Sequence, residues 1–527
     1  MHMSSPSIGT MRGDDHPTPS TGARDWLARH QTVVMAVLIG GAIVLAVIPR
    51  WTQLGAQSVW SDEQFTLSQT GGGLTRLLDR GHTEIHTPFF ATLVWLWNHI
   101  VSVGAVRARA FSALVTTLGI ACVPLMLRRT PIPAPTRWLL TAAVATSGLG
   151  FVYGQEIRPY GLLWALAVAL TVSHLRLELE PRTGRPTARR QAVHLGLGVL
   201  ASLAHLFGLV LAGCSLVVLV ARGRIRPLRG LFFLAVVCLP EAIWIIHGRL
   251  MVPGFAAGTS WNTRPDLSAI TLLLQSVFSW GVPSMTNGGF VWHTPAGLAL
   301  VIVVFTVALN RYWRRSASSR GTLSLPAVSA ATSLALLAVL IMASSWLVSQ
   351  ITPLWTPRNL ILVDPVIRIA LALVIVSVPG RPAVQSLLSS ALVIVLTAGL
   401  ATVVSANRSP WKTDFRAAVR LAMTTRQTYP EVRIAGNLDP QWAVGTTSHP
   451  NDPRTVAALT PDRYVSRLTF PSGVRLTDHD TLWLMYLSPQ ADTDSNTQIM
   501  INAASPSQCR PVAITGILAM YCTARAK

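Results

Sequence analysis

Two adjacent carboxylates, Asp62 and Glu63, follow the first long apolar run of this 527-residue sequence. Ionisable side chains beside a bilayer are costly, so this pair is a candidate functional site. One carboxylate of such a pair can accept a proton from a hydroxyl group, and the other can orient a neighbouring group. The same pair would also suit a solvated loop or the start of a helix, so its meaning depends on the residues around it.

Composition places these acids in a membrane protein. Hydrophobic residues make up 50% of the chain and charged residues only 12%, and many apolar runs are long enough to cross a bilayer. The formal net charge is +21, but the Lys and Arg residues stand mostly in short clusters between the apolar runs. That arrangement is typical of the positive-inside rule, so we expect no nucleic-acid partner.

The basic clusters predict the orientation of the chain. Residues 1–30 are polar, which predicts a disordered, cytoplasmic N-terminus. Span 31–49 then leads to a first outer loop, 51–88, which contains Asp62 and Glu63. We predict that the short apolar run 89–103 is an interfacial helix on the outer surface. The alternative, a full span, would move the arginine cluster at 176–190 to the outer side.

With that helix on the surface, about 11 spans keep every major basic cluster on one side of the membrane. The predicted spans are 31–49, 110–127, 138–152, 161–175, two short helices that turn near His205 within 192–220, 231–247, 294–310, 325–348, 360–378 and 384–404. A re-entrant helix is expected at 268–282. The sequence therefore predicts an all-α polytopic protein of the plasma membrane, with residues 31–404 as its transmembrane domain.

The predicted topology gathers acidic residues on the outer face. Of the ten Asp and Glu residues between 31 and 404, only Glu178 and Glu180 fall on the cytoplasmic side. Basic and polar residues share the outer face, among them His82, His86, Arg158, His205, Arg264 and Arg358. Such a cluster at the mouth of a helical bundle suits an anionic substrate and a general base. It also suits a proton-coupled transporter.

Five short motifs together resemble those of the family 39 glycosyltransferases, which have the GT-C fold. Asp62-Glu63 and the run EIHTPFF at 84–90 resemble the family's Asp-Glu and Asp-x-His-Pro-Pro-Leu-Tyr motifs. YGQEIRPY at 153–160 is similar to its Tyr-Ser-Gln-Glu-Ala-Arg-x-Tyr motif, and AHLFG at 204–208 to its Thr-His-Tyr-Phe turn. The segment 353–360, with Arg358, is similar to its Pro-x-x-x-x-Arg-Tyr-Leu motif.

The resemblance implies an integral-membrane transferase that moves a sugar from a polyprenyl-phosphate carrier to a cell-envelope glycan or glycolipid at the outer face, with inversion of the anomeric centre. Asp62 would be the general base, and Glu63 would orient the acceptor or a neighbouring Arg. Arg158 and Arg358 would bind the leaving phosphate, since Arg binds phosphate in a bidentate manner. The other residues expected to bind substrate are Glu84, His86, Glu156, Tyr160 and His205.

Several alternatives remain open from the residues alone. Glu156 either pairs with Arg158 or binds sugar hydroxyls, and each arginine could instead form a structural ion pair. Asp62, Glu63 and Glu84 are hard oxygen ligands that a divalent cation could use, but no spacing is diagnostic, so we expect that no metal or other cofactor is required. The competing functions are a transporter or flippase for polyprenyl lipids or glycolipids, and an inactive relative of the transferases.

After residue 405 the composition changes to that of a soluble domain. The sequence predicts an amphipathic helix at 412–426 and strands at 432–434, 481–486 and 512–514. These elements give a small α/β extracytoplasmic domain over 405–527. Cys509 and Cys522 bracket a predicted hairpin and would form a disulfide in an oxidising outer compartment. The other three cysteines lie in apolar spans and are expected to serve as packing residues.

Overall fold

The computed structural model describes residues 21–75, 77, 87–102, 104–180, 187–251, 263–281, 284–286, 289–291, 294–316, 325–378, 382–436, 463–464, 480–486, 509–514 and 517–523. In this part of the chain, a bundle of helices extends to residue 406 and is followed by one helix and a five-stranded sheet. The predicted fold class, an all-α polytopic membrane protein with a small domain that contains a sheet, is confirmed.

Apart from α2, whose sequence is polar, the helices of the bundle lie in apolar runs of the sequence. They are α1 (Thr21–Thr52), α2 (Ser61–Thr70), α3 (Phe89–Val101), α4 (Ala105–Leu127), α5 (Ala134–Ala145), α6 (Gly148–Tyr153), α7 (Tyr160–Glu178), α8 (Ala188–Ala204), α9 (Leu206–Ala221), α10 (Pro227–Met251), α11 (Ser268–Val277), α12 (Ala296–Ser316), α13 (Leu325–Ile351), α14 (Val363–Val376) and α15 (Pro382–Ala406). A 3-10 turn, Asn359–Leu362, leads directly into α14. Strands β1 (Ser284–Thr286) and β2 (Gly289–Val291) form a small antiparallel hairpin before α12.

Seven helices in the described part of the chain are long and apolar enough to cross a membrane. They lie in α1, α4, α7, α10, α13, α14 with its 3-10 turn, and α15. The remaining predicted spans also contain helices. α8 has 17 residues and α9 has 16, and the apolar part of α12 covers only Ala296–Asn310, against about 20 residues for a perpendicular crossing. The chain is therefore a multi-pass membrane protein, while the larger number of spans stays a prediction.

The N-terminal helix is longer than predicted. α1 begins at Thr21 rather than after residue 30, because the run at 23–30 is rich in Ala, Leu and Arg, which are good helix formers. The prediction of disorder is therefore wrong for residues 21–30. Residues 1–20 lie outside the described residues.

The run predicted as an interfacial helix forms α3, which has only 13 residues and is too short to cross a bilayer. Its side chains hold it against the end of α2. Trp95 Nε1 donates to the Gly72 carbonyl oxygen at 2.9 Å, and Asn98 Nδ2 donates to Thr70 Oγ1 at 3.4 Å. α3 therefore belongs to the same face of the bundle as the carboxylates of α2.

The turn predicted near His205 separates α8 from α9. His205 has extended backbone, with φ −171° and ψ 145°, and is flanked by the two helices. The helices approach closely just beyond it, since a Cβ atom on Gly208 would lie 1.9 Å from the carbonyl oxygen of Ala201. Only glycine fits this close approach, and the turn holds His205 inside the protein.

The central helix of the bundle is α7, in which 83% of the residues in the 18-residue apolar stretch are buried. Its Trp164 donates to Asp364 Oδ2 at 2.8 Å, and Arg368 Nε donates to Asp364 Oδ1 at 2.6 Å. Arg368 also donates to the carbonyl oxygens of Ala143 and Val277. Because these carbonyls lie at the C-terminal ends of α5 and α11, Arg368 caps two helix ends within the bundle.

The C-terminal part contains α16 (Phe415–Thr428) and a mixed sheet. Its strands are β3 (Arg433–Gly436), β4 (Arg463–Tyr464), β5 (Thr481–Tyr486), β6 (Cys509–Ile514) and β7 (Ile517–Cys522), in the order β4-β3-β5-β7-β6. β3 is parallel to β4 and β5, and the other pairs are antiparallel. These elements overlap the predicted helix and strands, while the domain boundary at 405 stays a prediction.

The predicted disulfide is confirmed. Cys509 and Cys522 are direct partners in the register of β6 and β7. Cys522 is disulfide-bonded, and the free thiols are Cys122, Cys214 and Cys238. Because the chain has five cysteines, the bridge joins Cys509 to Cys522.

Candidate active site

Helix α2 presents the two predicted carboxylates in its first turn. The backbone N–H of Trp60, the residue before the helix, donates to Glu63 Oε2 at 3.4 Å, as in a capping box. Acids in this position also interact favourably with the positive end of the helix dipole. Since successive helical residues point about 100° apart, Asp62 and Glu63 meet different partners.

Asp62 contacts Arg358 from the segment before α14. Arg358 Nη1 donates to Asp62 Oδ2 at 3.1 Å, and the Asp62 side chain remains 29% exposed. The guanidinium carbon of Arg358 also lies 5.6 Å from the centroid of the Tyr160 ring, which is a cation–π contact. Asp62 is therefore an accessible carboxylate beside a cation and an aromatic ring.

Glu63, in contrast, is fully buried and forms a bidentate ion pair with Arg109. Arg109 Nε donates to Glu63 Oε1 at 2.8 Å, and Nη2 donates to Oε2 at 2.5 Å. The remaining N–H groups of Arg109 donate to the carbonyl oxygens of Leu54, Gln57 and Ser58. All five donors of this guanidinium are thus used to fasten the loop before α2 to α4.

The environment of Glu63 favours its ionised form. Burial raises the pKa of Glu63, but the charge and hydrogen bonds of Arg109 outweigh burial, and the charge of Lys412 and the backbone N–H of Ile157 act in the same direction. The pKa of Glu63 therefore lies below its ordinary value. Of the two roles predicted for Glu63, orientation of a neighbouring Arg matches its position, because its buried carboxylate contacts Arg109.

The turn between α6 and α7 supplies Glu156 and Arg158. Glu156 is fully buried, and its Oε1 accepts a hydrogen bond from Lys412 Nζ at 2.5 Å. Glu156 therefore pairs with Lys412 rather than with Arg158, and burial raises its pKa in spite of that neighbour. Arg158 instead reaches α2, where its Nη1 lies 3.4 Å from Thr66 Oγ1, one turn beyond Asp62.

This turn is held tightly by its surroundings. A Cβ atom on Gly154 would lie 2.7 Å from the Gly150 carbonyl oxygen, so the sharp bend requires glycine. Ser112 Oγ donates to the Glu156 carbonyl oxygen at 2.5 Å, and Gln155 Nε2 donates to the Pro49 carbonyl oxygen at 3.0 Å. The position of Arg158 is therefore fixed by the backbone on which it stands.

Aromatic rings connect His205 to the same region. The Tyr160 ring centroid lies 5.3 Å from that of Tyr153 and 5.5 Å from that of His205. His205 Nδ1 accepts a hydrogen bond from the backbone N–H of Phe207 at 3.1 Å, which caps α9. His205 thus joins the site through Tyr160, which in turn supports Arg358.

Most of the predicted site residues come together around α2 and the 154–159 turn. The residues brought together are Asp62, Glu63, Glu156, Arg158, Tyr160, His205 and Arg358. Glu84 and His86 lie outside the described residues. The arrangement can hold an anionic group at the arginines and can accept a proton at Asp62.

No model of a known protein family matches the sequence, and no curated protein matches it. A solved structure matches over nearly the whole chain: ArnT from Cupriavidus metallidurans bound to undecaprenyl phosphate is 14% identical, with a TM-score of 0.53 over 93% of this chain and 98% of that one. The chain has the GT-C fold.

Two further structures are similar to the chain with lower scores. Apo ArnT from Cupriavidus metallidurans is 14% identical, with a TM-score of 0.46 over 95% of this chain and 98% of that one. An Archaeoglobus fulgidus oligosaccharyltransferase tethered with an acceptor peptide is 12% identical, with a TM-score of 0.41 over 84% of this chain and 64% of that one. The GT-C assignment rests on the structure with undecaprenyl phosphate, and at this identity it concerns the fold alone.

Two cations of this candidate site were missed in the sequence. Arg109 lies between the predicted interfacial helix 89–103 and the predicted span 110–127, and Lys412 lies at the start of the predicted amphipathic helix 412–426. Their partners Glu63 and Glu156 lie 46 and 256 residues away. Neither cation lies inside a predicted span, so no local pattern indicated that it has a buried acidic partner.

Few side chains that could bind a metal ion lie close together in the described part of the chain. No group of three His, Cys, Asp or Glu side chains there is close enough to hold a metal ion. Of the acids considered as ligands, Glu63 has both oxygens bound by Arg109, and Glu84 lies outside the described residues. Asp62 remains as a single carboxylate next to Arg358.

Proposed function

We propose that this protein is a glycosyltransferase that moves a hexosyl or pentosyl group from a polyprenyl-phosphate carrier to a cell-envelope glycan or glycolipid, with inversion of the anomeric centre. The observation that carries the proposal is the contact between Asp62 and Arg358 at 3.1 Å. It supports the proposal because an accessible carboxylate, which can accept a proton, lies beside a guanidinium, which is suited to bind phosphate. The GT-C fold and the five motifs support the same conclusion.

Asp62 acts as the general base. As the acceptor oxygen forms its bond to the anomeric carbon, the hydroxyl proton passes to the Asp62 carboxylate. The bond between that carbon and the phosphate oxygen breaks, and polyprenyl phosphate leaves with the electron pair. Asp62 is suited to this role because its side chain is 29% exposed, whereas the neighbouring Glu63 is fully buried.

Arg358 and Arg158 stabilise the phosphate as its charge grows. Fixed cations aimed at a leaving oxyanion lower the barrier because they need no reorganisation during the reaction. Both arginines lie beside α2, one in contact with Asp62 and the other with Thr66. Tyr160 lies under the Arg358 guanidinium, and we assign Glu84, His86, Glu156 and His205 to the surroundings of the substrate.

We place the reaction at the outer face of the plasma membrane, with the N-terminus in the cytoplasm and the C-terminal domain outside. This orientation leaves the basic clusters of the sequence on the cytoplasmic side. The proposed chemistry requires no metal, because Asp62 supplies the base and the arginines supply the charge. A chelator added to the assay described next should therefore leave turnover unchanged.

The test is sugar transfer by the purified protein in lipid nanodiscs, supplied with a panel of radiolabelled polyprenyl-phosphate sugars. Wild type is compared with Asp62→Asn, and with Asp266→Asn as a control at an exposed acid before α11. Label should move to product or water with wild type and Asp266→Asn but not with Asp62→Asn. If no donor turns over although polyprenyl phosphate binds, the proposal is wrong and a flippase, transporter or inactive relative takes its place.

A further inference from the structure

Lys412 lies outside the membrane bundle in sequence but inside the candidate site in space. It belongs to the linker between α15, which ends at Ala406, and α16, which begins at Phe415. Its side chain is only 3% exposed and contacts Glu156, which is fully buried. The segment that leads to the C-terminal domain thus reaches the turn that bears Arg158.

The linker is fixed in this place by hydrogen bonds to both sides of the site. Gln57 Nε2, in the loop before α2, donates to the carbonyl oxygens of Asn407 at 2.8 Å and Ser409 at 2.9 Å. Asn407 Nδ2 donates to Gln155 Oε1, in the 154–159 turn, at 2.9 Å. The backbone around Lys412 is therefore anchored independently of the Lys412 side chain.

Lys412 lies between the helix that bears the base and the turn that bears the phosphate-binding arginine. Its Nζ is 5.9 Å from the ring centroid of Trp60, the residue that immediately precedes α2, and 5.3 Å from that of Trp411. Lys412 Nζ also donates a hydrogen bond to Glu156 Oε1 at 2.5 Å. Lys412 thus contacts both the residue before α2, the helix that carries Asp62, and the 154–159 turn, which carries Arg158.

Stability alone does not account for this arrangement. Removing two charges from water is costly, and a buried ion pair is often no more stabilising than apolar residues of the same size. In some proteins such a pair instead defines the geometry of its surroundings. Glu156 is followed by Ile157, whose N–H is bound by Glu63 at 3.1 Å, and then by Arg158, so the position of Glu156 sets the position of Arg158.

We propose that Lys412 is a positioning residue for the carrier phosphate: through Glu156 it fixes the turn that aims Arg158, although Lys412 does not itself contact the phosphate. The inference rests on the proposed function, in which Arg158 binds that phosphate. It assigns the linker of the C-terminal domain a part in lipid-phosphate binding. The site is then complete only when the chain beyond the last span is docked on the bundle.

The test is the affinity of undecaprenyl phosphate, without sugar, for the full chain in phosphatidylcholine nanodiscs. Wild type, Lys412→Met, Arg158→Gln and the double variant form a thermodynamic cycle. We expect Lys412→Met to weaken binding by about tenfold in the wild-type background and to have no effect in the Arg158→Gln background. Arg420→Met is the matched control, because Arg420 is an exposed cation of α16.

A second variant protects the test against misfolding. Lys412→Met leaves the Glu156 carboxylate buried without its partner, whereas Lys412→Met combined with Glu156→Leu removes both charges. We expect the combined variant to be as stable as wild type in thermal unfolding but to bind undecaprenyl phosphate as weakly as Lys412→Met does. Such a separation of stability from binding is not expected of a purely structural ion pair.

The outcomes separate this inference from the proposed function. If wild type binds and Arg158→Gln weakens binding, but Lys412→Met and the combined variant bind as wild type does, the role of Lys412 is wrong and the transferase proposal stands. An effect of Lys412→Met that persists in the Arg158→Gln background would mean a direct charge effect and would also overturn the inference. If wild type does not bind undecaprenyl phosphate, both the carrier assignment and the inference fail.

Discussion

Asp62 and Arg358 form an ion pair at 3.1 Å although 296 residues separate them in the sequence. In the proposed reaction the two residues act on different groups, since Asp62 accepts the acceptor proton and Arg358 binds the leaving phosphate. Inversion requires the acceptor and the phosphate to lie on opposite sides of the anomeric carbon. The ion pair must therefore open when the sugar enters, and the carrier phosphate must replace Asp62 as the partner of Arg358.

This exchange predicts that Asp62 competes with the carrier phosphate for Arg358. Asp62→Asn should bind undecaprenyl phosphate more tightly than wild type does, by a factor of about five, because a neutral amide holds the guanidinium less strongly than a carboxylate. Arg358→Gln should bind it more weakly. Both affinities can be measured by titration of the full chain in phosphatidylcholine nanodiscs.

The control for this competition is the double variant. If Asp62 acts by holding Arg358, Asp62→Asn should have little effect in the Arg358→Gln background. A general repulsion between Asp62 and the phosphate would instead persist there. Equal gains in affinity in both backgrounds would show that the ion pair does not compete with the phosphate.

Asp62→Asn should lose turnover while it gains affinity for undecaprenyl phosphate. Loss of a general base typically lowers the rate by about 10²–10⁴-fold, so Asp62→Asn should show a correspondingly lower kcat in the transfer assay. Its thermal unfolding temperature should stay near that of wild type, since the Asp62 side chain is partly exposed and Asn has the same shape. A variant with wild-type kcat would exclude Asp62 as the base.

The sequence was informative where the signal was local or periodic. Apolar runs and basic clusters predicted the apolar helices of the bundle, the short helix α3 and the break at His205, because each depends on a continuous stretch of chain, whereas the polar helix α2 lay in a predicted loop. The disulfide between Cys509 and Cys522 was predictable since the two cysteines bracket one hairpin. The five motifs indicated the GT-C fold without any knowledge of distances.

The pairings inside the site could not be predicted in the same way. Glu63 and Asp62 are adjacent, yet one is buried against Arg109 and the other is accessible beside Arg358. Which acid faces which cation depends on the rotation of α2 and on how α4 packs against it, and no local pattern encodes either. The pairing of Glu156 with Lys412 depends in addition on how the linker after α15 folds back.

Acid should destabilise the protein partly through Glu63. Its pKa in the folded protein is lowered below the ordinary value of 4.5, so its contribution to stability is present above that value and is lost as the pH falls through the folded pKa. Glu63→Gln should remove this part of the acid sensitivity. It should also cost about 3–5 kcal/mol at neutral pH, because Arg109 loses the partner of a buried charge.

The measurement for Glu63 is the thermal unfolding temperature in nanodiscs at neutral pH and at several values below 4.5. Wild type and Glu63→Gln should converge as the pH falls, whereas Glu431→Gln, at an exposed acid after α16, should follow wild type throughout. Parallel curves for wild type and Glu63→Gln would show that Glu63 is not the group whose protonation weakens the fold.

The disulfide offers a test of both the C-terminal fold and the side of the membrane on which it lies. A bridge that closes a loop of this size contributes about 3 kcal/mol to stability. Replacing Cys509 and Cys522 with Ser should therefore make the C-terminal sheet sensitive to protease. The helical bundle should remain folded and able to transfer sugar. Because disulfides persist in oxidising compartments, protein from native membranes, denatured and alkylated without reduction, should be modified only at the three free thiols. Modification at all five cysteines before reduction would place this domain in a reducing compartment and contradict the proposed orientation.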